Sequence, residues 1–182
     1  MKIKLFILLF FLTTPVFAGW RIATVDSIGN VSTSLAIDTS GYPRIAYGDL
    51  KYAKWTGSAW SIATAAADIM AGRVSLALDS SGYPRISYYA WPTTNRDLKC
   101  AKWNGSSWVS QTPQPLNDVG TDSSLAIDAN GKSHISYYDD TNGDLKYTKE
   151  ENTNTNWPTQ TVDSIGNVGR YTEMVGKNWT DF

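Results

Sequence analysis

One phrase occurs three times along this chain. Ser34-Leu-Ala-Ile-Asp38-Thr-Ser-Gly41-Tyr-Pro-Arg-Ile-Ala-Tyr47 recurs as Ser75-Leu-Ala-Leu-Asp79-Ser-Ser-Gly82-Tyr-Pro-Arg-Ile-Ser-Tyr88. It recurs again as Ser124-Leu-Ala-Ile-Asp128-Ala-Asn-Gly131-Lys-Ser-His-Ile-Ser-Tyr137. Trp20, Trp60, Trp108 and Trp157 mark the same period, about 40 to 50 residues, which is the length of one supersecondary unit stacked on its neighbours. A residue present in every unit is expected to serve the architecture. A residue that changes from unit to unit is where a site can arise.

Each unit divides into four short strands. Ser34 to Asp38 and Arg44 to Tyr47 alternate small and large side chains, as half-buried strands do. Between them Asp38 can accept backbone N–H bonds and Gly41 can take positive φ, a turn signal with a mechanism. Pro43 opens the second strand, where a missing N–H is tolerated. The third strand is Leu50 to Trp55. A turn at Thr56-Gly-Ser, or Asn104-Gly-Ser in the second unit, then leads into a fourth strand opening with Trp60 or Trp108. No stretch keeps a helical period. Four antiparallel strands per unit of this length predict an all-β chain, a partial β-propeller of three four-stranded blades plus the start of a fourth.

The phrase Ser34 to Tyr47, followed by Asp49-Leu-Lys-Tyr-Ala-Lys-Trp55, resembles a repeat of secreted bacterial β-propeller proteins. The resemblance runs from residue 20 to about 170. It implies the propeller fold and carries little about activity. Likeness to the sialidase Asp-box, Ser-x-Asp-x-Gly-x-x-Trp, is distant, because Asp38 and Gly41 stand one position too far apart.

The expected organisation begins with a signal peptide over 1–18. Lys2 and Lys4 precede the apolar run Leu5 to Leu12, and small residues precede a cleavage point after Ala18. That run is well short of the roughly 20 residues a spanning helix needs. Export to the medium, the periplasm or the cell surface is therefore expected, rather than retention by a membrane anchor. Blades follow over 19–172, in units of about 20–60, 60–108, 108–157 and a partial 157–172. The partial unit restarts the pattern: Thr161-Val-Asp-Ser-Ile-Gly-Asn-Val168 repeats Thr24 to Val31 letter for letter. Residues 173–182 match no strand of the repeat and are read as a tail. A leading outer strand is expected over Trp20 to Val25. Three blades cannot close a ring that needs about four to eight. A homo-oligomer that completes the ring, or a truncated propeller, follows from that count.

The whole chain carries 16 basic and 17 acidic side chains, and two of the lysines fall in the leader. A slightly acidic mature chain has no basic footprint for nucleic acid and no polybasic patch for a membrane surface. With one cysteine, Cys100, no intramolecular disulfide forms. Cys100 stands where the sibling units carry Tyr52 and Tyr147, which reads as a buried filler. With one histidine, His134, neither a His-based triad nor a zinc cluster can be assembled. Asp38, Asp79 and Asp128 recur identically and read as turn residues.

Binding residues concentrate on variable loops carried by a rigid scaffold. The most unusual loop supplies Tyr89, Trp91, Asn95 and Arg96, a set able to stack on a sugar face and bond its hydroxyls. The same loop reads more simply as surface chain with Trp91 folded on Tyr89, a lone aromatic loop being a weak signal. A second loop places Asp140, Asn142 and Asp144 at alternate positions around Gly143. That is an oxygen array of the kind Ca²⁺ favours, without the downstream bidentate glutamate, and Asn142-Gly143 is also a good hairpin turn. No other cofactor is indicated. The expected function is a secreted, non-enzymatic binding or interaction module with a glycan or protein ligand. A fragment of a sialidase-like or other propeller glycosidase, and a non-functional remnant, remain open beside it.

Overall fold

The computed structural model describes residues 22–27, 32–67, 70–90, 96–115, 118–151 and 156–175. The expected leader, Trp20, Trp91, Asn95 and most of the expected tail lie outside them. The twelve elements among the described residues are all β-strands. Among the described residues no helix is long and apolar enough to cross a membrane.

The strands form three four-stranded antiparallel sheets in simple meander order. The first blade is β1 (Thr33–Ile37), β2 (Pro43–Tyr47), β3 (Lys51–Trp55) and β4 (Trp60–Thr64). The second is β5 (Met70–Leu78), β6 (Pro84–Ala90), β7 (Asp97–Trp103) and β8 (Trp108–Gln114). The third is β9 (Ser124–Ile127), β10 (Ser133–Asp139), β11 (Asp144–Lys149) and β12 (Thr159–Asp163). This is the three-blade partial propeller that the repeat predicts. Residues 22–25 form no strand, so the described part of the expected leading strand is irregular chain.

Two cores hold the blades together, and both lie between sheets. One gathers Leu50, Tyr52, Val74, Leu76, Ile86 and Tyr88 from the first and second blades. The other gathers Leu98, Cys100, Leu125, Ile135, Tyr137 and Trp157 from the second and third. Cys100 is fully buried, and that burial pushes its thiol up to about 12, so it packs as an inert small hydrophobe. A single blade buries little by itself; stacking supplies the apolar burial.

The small face of each innermost strand also carries the stacking register. Ser34 Oγ accepts from the Leu76 N–H at 3.0 Å, and Ser75 Oγ accepts from the Leu125 N–H at 3.0 Å. Ser124 Oγ in turn accepts from the Met174 N–H at 2.8 Å. Beside this ladder Ser87 meets Ser123 at 3.0 Å, and Thr172 donates to Ser136 at 2.8 Å. Glu173 and Met174 thus occupy the places of Ser124 and Leu125. The repeat therefore runs two residues past its expected end at 172. Its letters change there while its backbone contacts persist.

Gly120 and Gly169 show the same continuity. Both take positive φ, at 100° and 101°. A Cβ on Gly120 would meet the Leu98 Cβ at 2.8 Å, and one on Gly169 the Leu145 Cα at 2.7 Å. Leu98 and Leu145 hold the same repeat position, so at both places a glycine admits the chain coming in from the previous blade. Gly120→Ala is expected to lose about 1–3 kcal/mol of stability, from the strained φ and the contact with backbone that cannot yield. Urea denaturation with an unchanged m-value would report it, and a wild-type midpoint would contradict it.

Candidate functional site: the junctions between blades

The turn aspartates are structural. Asp38 Oδ1 accepts the N–H groups of Ser40 and Tyr42, both at 2.9 Å, and Asp79 Oδ1 does the same for Ser81 and Tyr83. Asp128 Oδ1 accepts from Asn130 at 2.9 Å and Lys132 at 2.7 Å. These bonds leave the second carboxylate oxygen free for a neighbour on the next strand.

That neighbour belongs to a recurring pair of basic residues. Antiparallel register sets Arg44 opposite Lys54, Arg85 opposite Lys102, and His134 opposite Lys149. Like charges directly opposed on a sheet destabilise it unless an anion lies between or beside them. The first two blades meet this requirement differently, and the third puts His134, charged only when protonated, in the arginine's place. In the first, Asp38 takes the Arg44 guanidinium through Nε and Nη2, while Lys54 is exposed and has no ion pair among the described residues. In the third, His134 Nε2 lies 3.2 Å and Lys149 Nζ 3.8 Å from Asp128 Oδ2.

In the second blade the anion comes from the third. Arg85 Nη1 donates to Glu150 Oε2 at 2.7 Å, and Lys102 pairs with Glu150 Oε1. Arg85 also donates to Ser133 Oγ at 2.7 Å. Glu150 is buried, and burial by itself raises a carboxyl pKa. The bond from Lys102 and the charges of Lys102 and Arg85 outweigh it and hold Glu150 below the ordinary glutamate range. In repeat register Glu150 replaces Trp55 and Trp103. It closes the junction between the second and third blades.

At the junction between the first and second blades the corresponding residue is Trp103, and the junction is an open groove of about 310 Å³. Tyr52, Ser61 and Ala63 come from the first blade beside the Arg44–Lys54 pair, and Tyr83, Trp103 and Trp108 form the opposite wall. The two tryptophans stand edge to face with ring centroids 5.7 Å apart, and the Tyr52 ring meets Trp108 at 5.5 Å. Burial raises the Tyr52 hydroxyl above its usual pKa, so it is a neutral hydrogen-bonding group at any ordinary pH. The third blade's outer face has a further hollow of about 400 Å³ with His134, Tyr147 and Lys149 on it, bordered by Met174 and Val175.

The loop set expected from sequence is arranged differently. Trp91 and Asn95 lie outside the described residues. Tyr89 is buried and its hydroxyl donates to Asp118, which also accepts Arg96 Nη1 at 2.8 Å. Tyr138 holds the same repeat position as Tyr89 and donates to Asn167 at 2.8 Å. Both tyrosines therefore fasten the loop leading into the next blade, and Tyr89 offers no free ring face. Asp140, Asn142 and Asp144 also diverge. Asp140 accepts the Thr121 hydroxyl, the Asn142 amide donates to Asp139 at 2.8 Å, and Asp144 lies 4.0 Å from Lys146. Among the described residues no three His, Cys, Asp or Glu side chains gather as a metal set. The grooves between blades were missed because their residues sit on repeated strands. The available signal was the exchange of Trp55 and Trp103 for Glu150.

No protein-family model matches the chain, and no curated protein does. Among solved structures it is similar to a fucose lectin from Kordia zhangzhouensis in complex with methyl-fucoside. The TM-score is 0.51 at 21% identity, over 71% of this chain and 97% of that one. A glycosyl hydrolase from Bacteroides ovatus aligns at a TM-score of 0.41 and 14% identity, over 75% of this chain and 49% of that one. At these identities the likeness to the lectin is one of fold.

Proposed function

We propose that this chain is an exported, non-enzymatic β-propeller module that binds carbohydrate in the groove between its first and second blades. The observation that carries the reading is the groove's lining, an aromatic wall facing polar donors across about 310 Å³. A pyranose ring presents an apolar face of C–H groups and an edge of hydroxyls. Trp103 and Trp108 suit the first, and Arg44, Lys54 and Ser61 the second. The lectin of similar fold, solved with a methyl-fucoside, supports the sugar as ligand class. A binding role is favoured over glycoside hydrolysis because hydrolysis draws on a pair of carboxyl groups flanking the bond. No Asp or Glu lines this groove.

Calorimetric titration of the purified chain with a panel of methyl glycosides tests the reading. Trp103→Ala is expected to weaken binding at least about tenfold, the scale of a lost aromatic platform, with little change in melting temperature because Trp103 is half-buried at the rim. Absence of binding across the panel, or full affinity in the variant, would overturn the groove as the site. Turnover of aryl glycosides would overturn the non-enzymatic role.

A further inference from the structure

We infer that the groove between the first and second blades selects a carboxylated sugar, with the carboxylate seated beside Lys54 and Arg44; this rests on the carbohydrate reading above. The basis is internal to the molecule. Its two inner junctions present the same cation pair, Arg44 opposite Lys54 in one and Arg85 opposite Lys102 in the other. In the second junction a carboxylate from the adjoining blade fills the space: Glu150 meets Arg85 Nη1 at 2.7 Å and also pairs with Lys102. The protein thus contains its own bound example of what this cation pair accepts.

In the first junction the residue in the place of Glu150 is Trp103, so the anion is removed from the wall and a ring-stacking surface stands there instead. Asp38 compensates Arg44 through Nε and Nη2 but leaves other guanidinium N–H groups, since the group has five donors. Lys54 is on the groove lining, exposed, and without an ion pair among the described residues. The lining therefore keeps a net positive charge beside two indole faces. A ligand that combines a pyranose face with a carboxylate meets both features together. An acidic peptide would supply the carboxylate without the ring, and a neutral sugar the ring without the carboxylate.

Methyl β-D-glucuronide and methyl β-D-glucoside differ only at C6, carboxylate against hydroxymethyl, and they are the probes. Titrated into the full chain at low salt, the glucuronide is expected to bind about tenfold more tightly, the gain of one charge-assisted bond. Added salt should narrow that gap, because the lysine is exposed. Lys54→Met should bring the ratio toward one by weakening the glucuronide far more than the glucoside, since Lys54 offers the glucoside only a hydroxyl contact. W103E, which copies the Glu150 plug, should abolish binding of the glucuronide. If W103E does not fold, K54M carries the test, since its side chain is on the surface.

Equal affinities for the two glycosides in the wild-type chain would overturn the carboxylate inference and leave the sugar groove standing. A preference undiminished by K54M would overturn it as well, by placing the acid site away from Lys54. Acetate competing as strongly as the glucuronide would overturn the sugar part, since the ring would then contribute nothing. A wild-type chain that binds neither probe nor any neutral methyl glycoside would overturn this inference and the groove reading together.

Discussion

Glu150→Ala is expected to cost about 3–5 kcal/mol and to lower the melting temperature by about 10 °C. The size follows from what is left behind. The carboxylate is the anion between Arg85 and Lys102, side chains only 11% and 15% exposed. Removing it leaves two opposed, largely buried cations on neighbouring strands, with Ser133 Oγ as the remaining partner for Arg85. Glu150→Gln keeps the shape and one acceptor and should fall between the two. The pH dependence has a definite sign. Glu150 is held below its ordinary range by Lys102 and Arg85 against the opposing effect of burial. Its contribution is therefore complete above the ordinary glutamate pKa and is lost as pH falls through that range toward the depressed value. Asp128 and Asp139 are lowered as well, each with burial opposing, so the wild-type acid limb is a sum of such groups. Glu150→Gln should make that limb shallower. Melting curves between pH 3 and 7 would read both effects. A variant as stable as wild type with the same acid limb would show that the junction does not depend on this pair.

The repeat made the fold legible because each blade is specified locally. Alternation, an Asp-x-x-Gly turn and a hairpin turn placed β1 within one residue of Thr33–Ile37 and β4 at Trp60–Thr64. Its end was less legible. Glu173-Met174 preserves a backbone hydrogen bond to Ser124 Oγ, and an N–H donor carries no side-chain letter. The site was legible only in part for a related reason. Loop residues attract attention by varying, yet Tyr89 and Arg96 are spent on Asp118. The groove is assembled instead from strand positions that recur in every blade, and its character turns on one exchange, Trp103 against Glu150. That exchange is visible in the aligned repeats. Its meaning appears only when stacking sets the third-strand end of one blade against the cation pair of the blade before it.

The same stacking geometry leads to the second large effect. We propose that the chain self-associates through the outer face of its first blade, and light scattering is expected to give a mass of at least two chains. Leu35 is 61% exposed and Ile37 57%, whereas Leu76 and Leu125, which hold the place of Leu35 in the next two blades, are 7% and 4% exposed. Each buried copy is covered by the blade before it, so Leu35 and Ile37 present a prepared stacking face without its neighbour. The third blade offers the complement. Its outer face bears His134, Tyr147 and Lys149, the positions that Arg44, Tyr52 and Lys54 occupy toward the second blade. The first blade carries Tyr42, Trp55 and Trp60 in the places of Tyr83, Trp103 and Trp108, with Trp55 and Trp60 edge to face at 5.5 Å. Docking one copy's first blade on another's third, with Leu35 displacing Met174 from its place on Ser124, would bury the exposed leucine and isoleucine and wall the hollow at His134 with tryptophan. Apolar surface of this kind marks an interface or an aggregation liability. Leu35→Asp with Ile37→Asp should yield a folded monomer, since both side chains face water in the single chain and their loss leaves its inter-blade cores intact. A wild-type chain that scatters as a monomer across the micromolar range would overturn the proposal, and so would a doubly substituted chain that still associates.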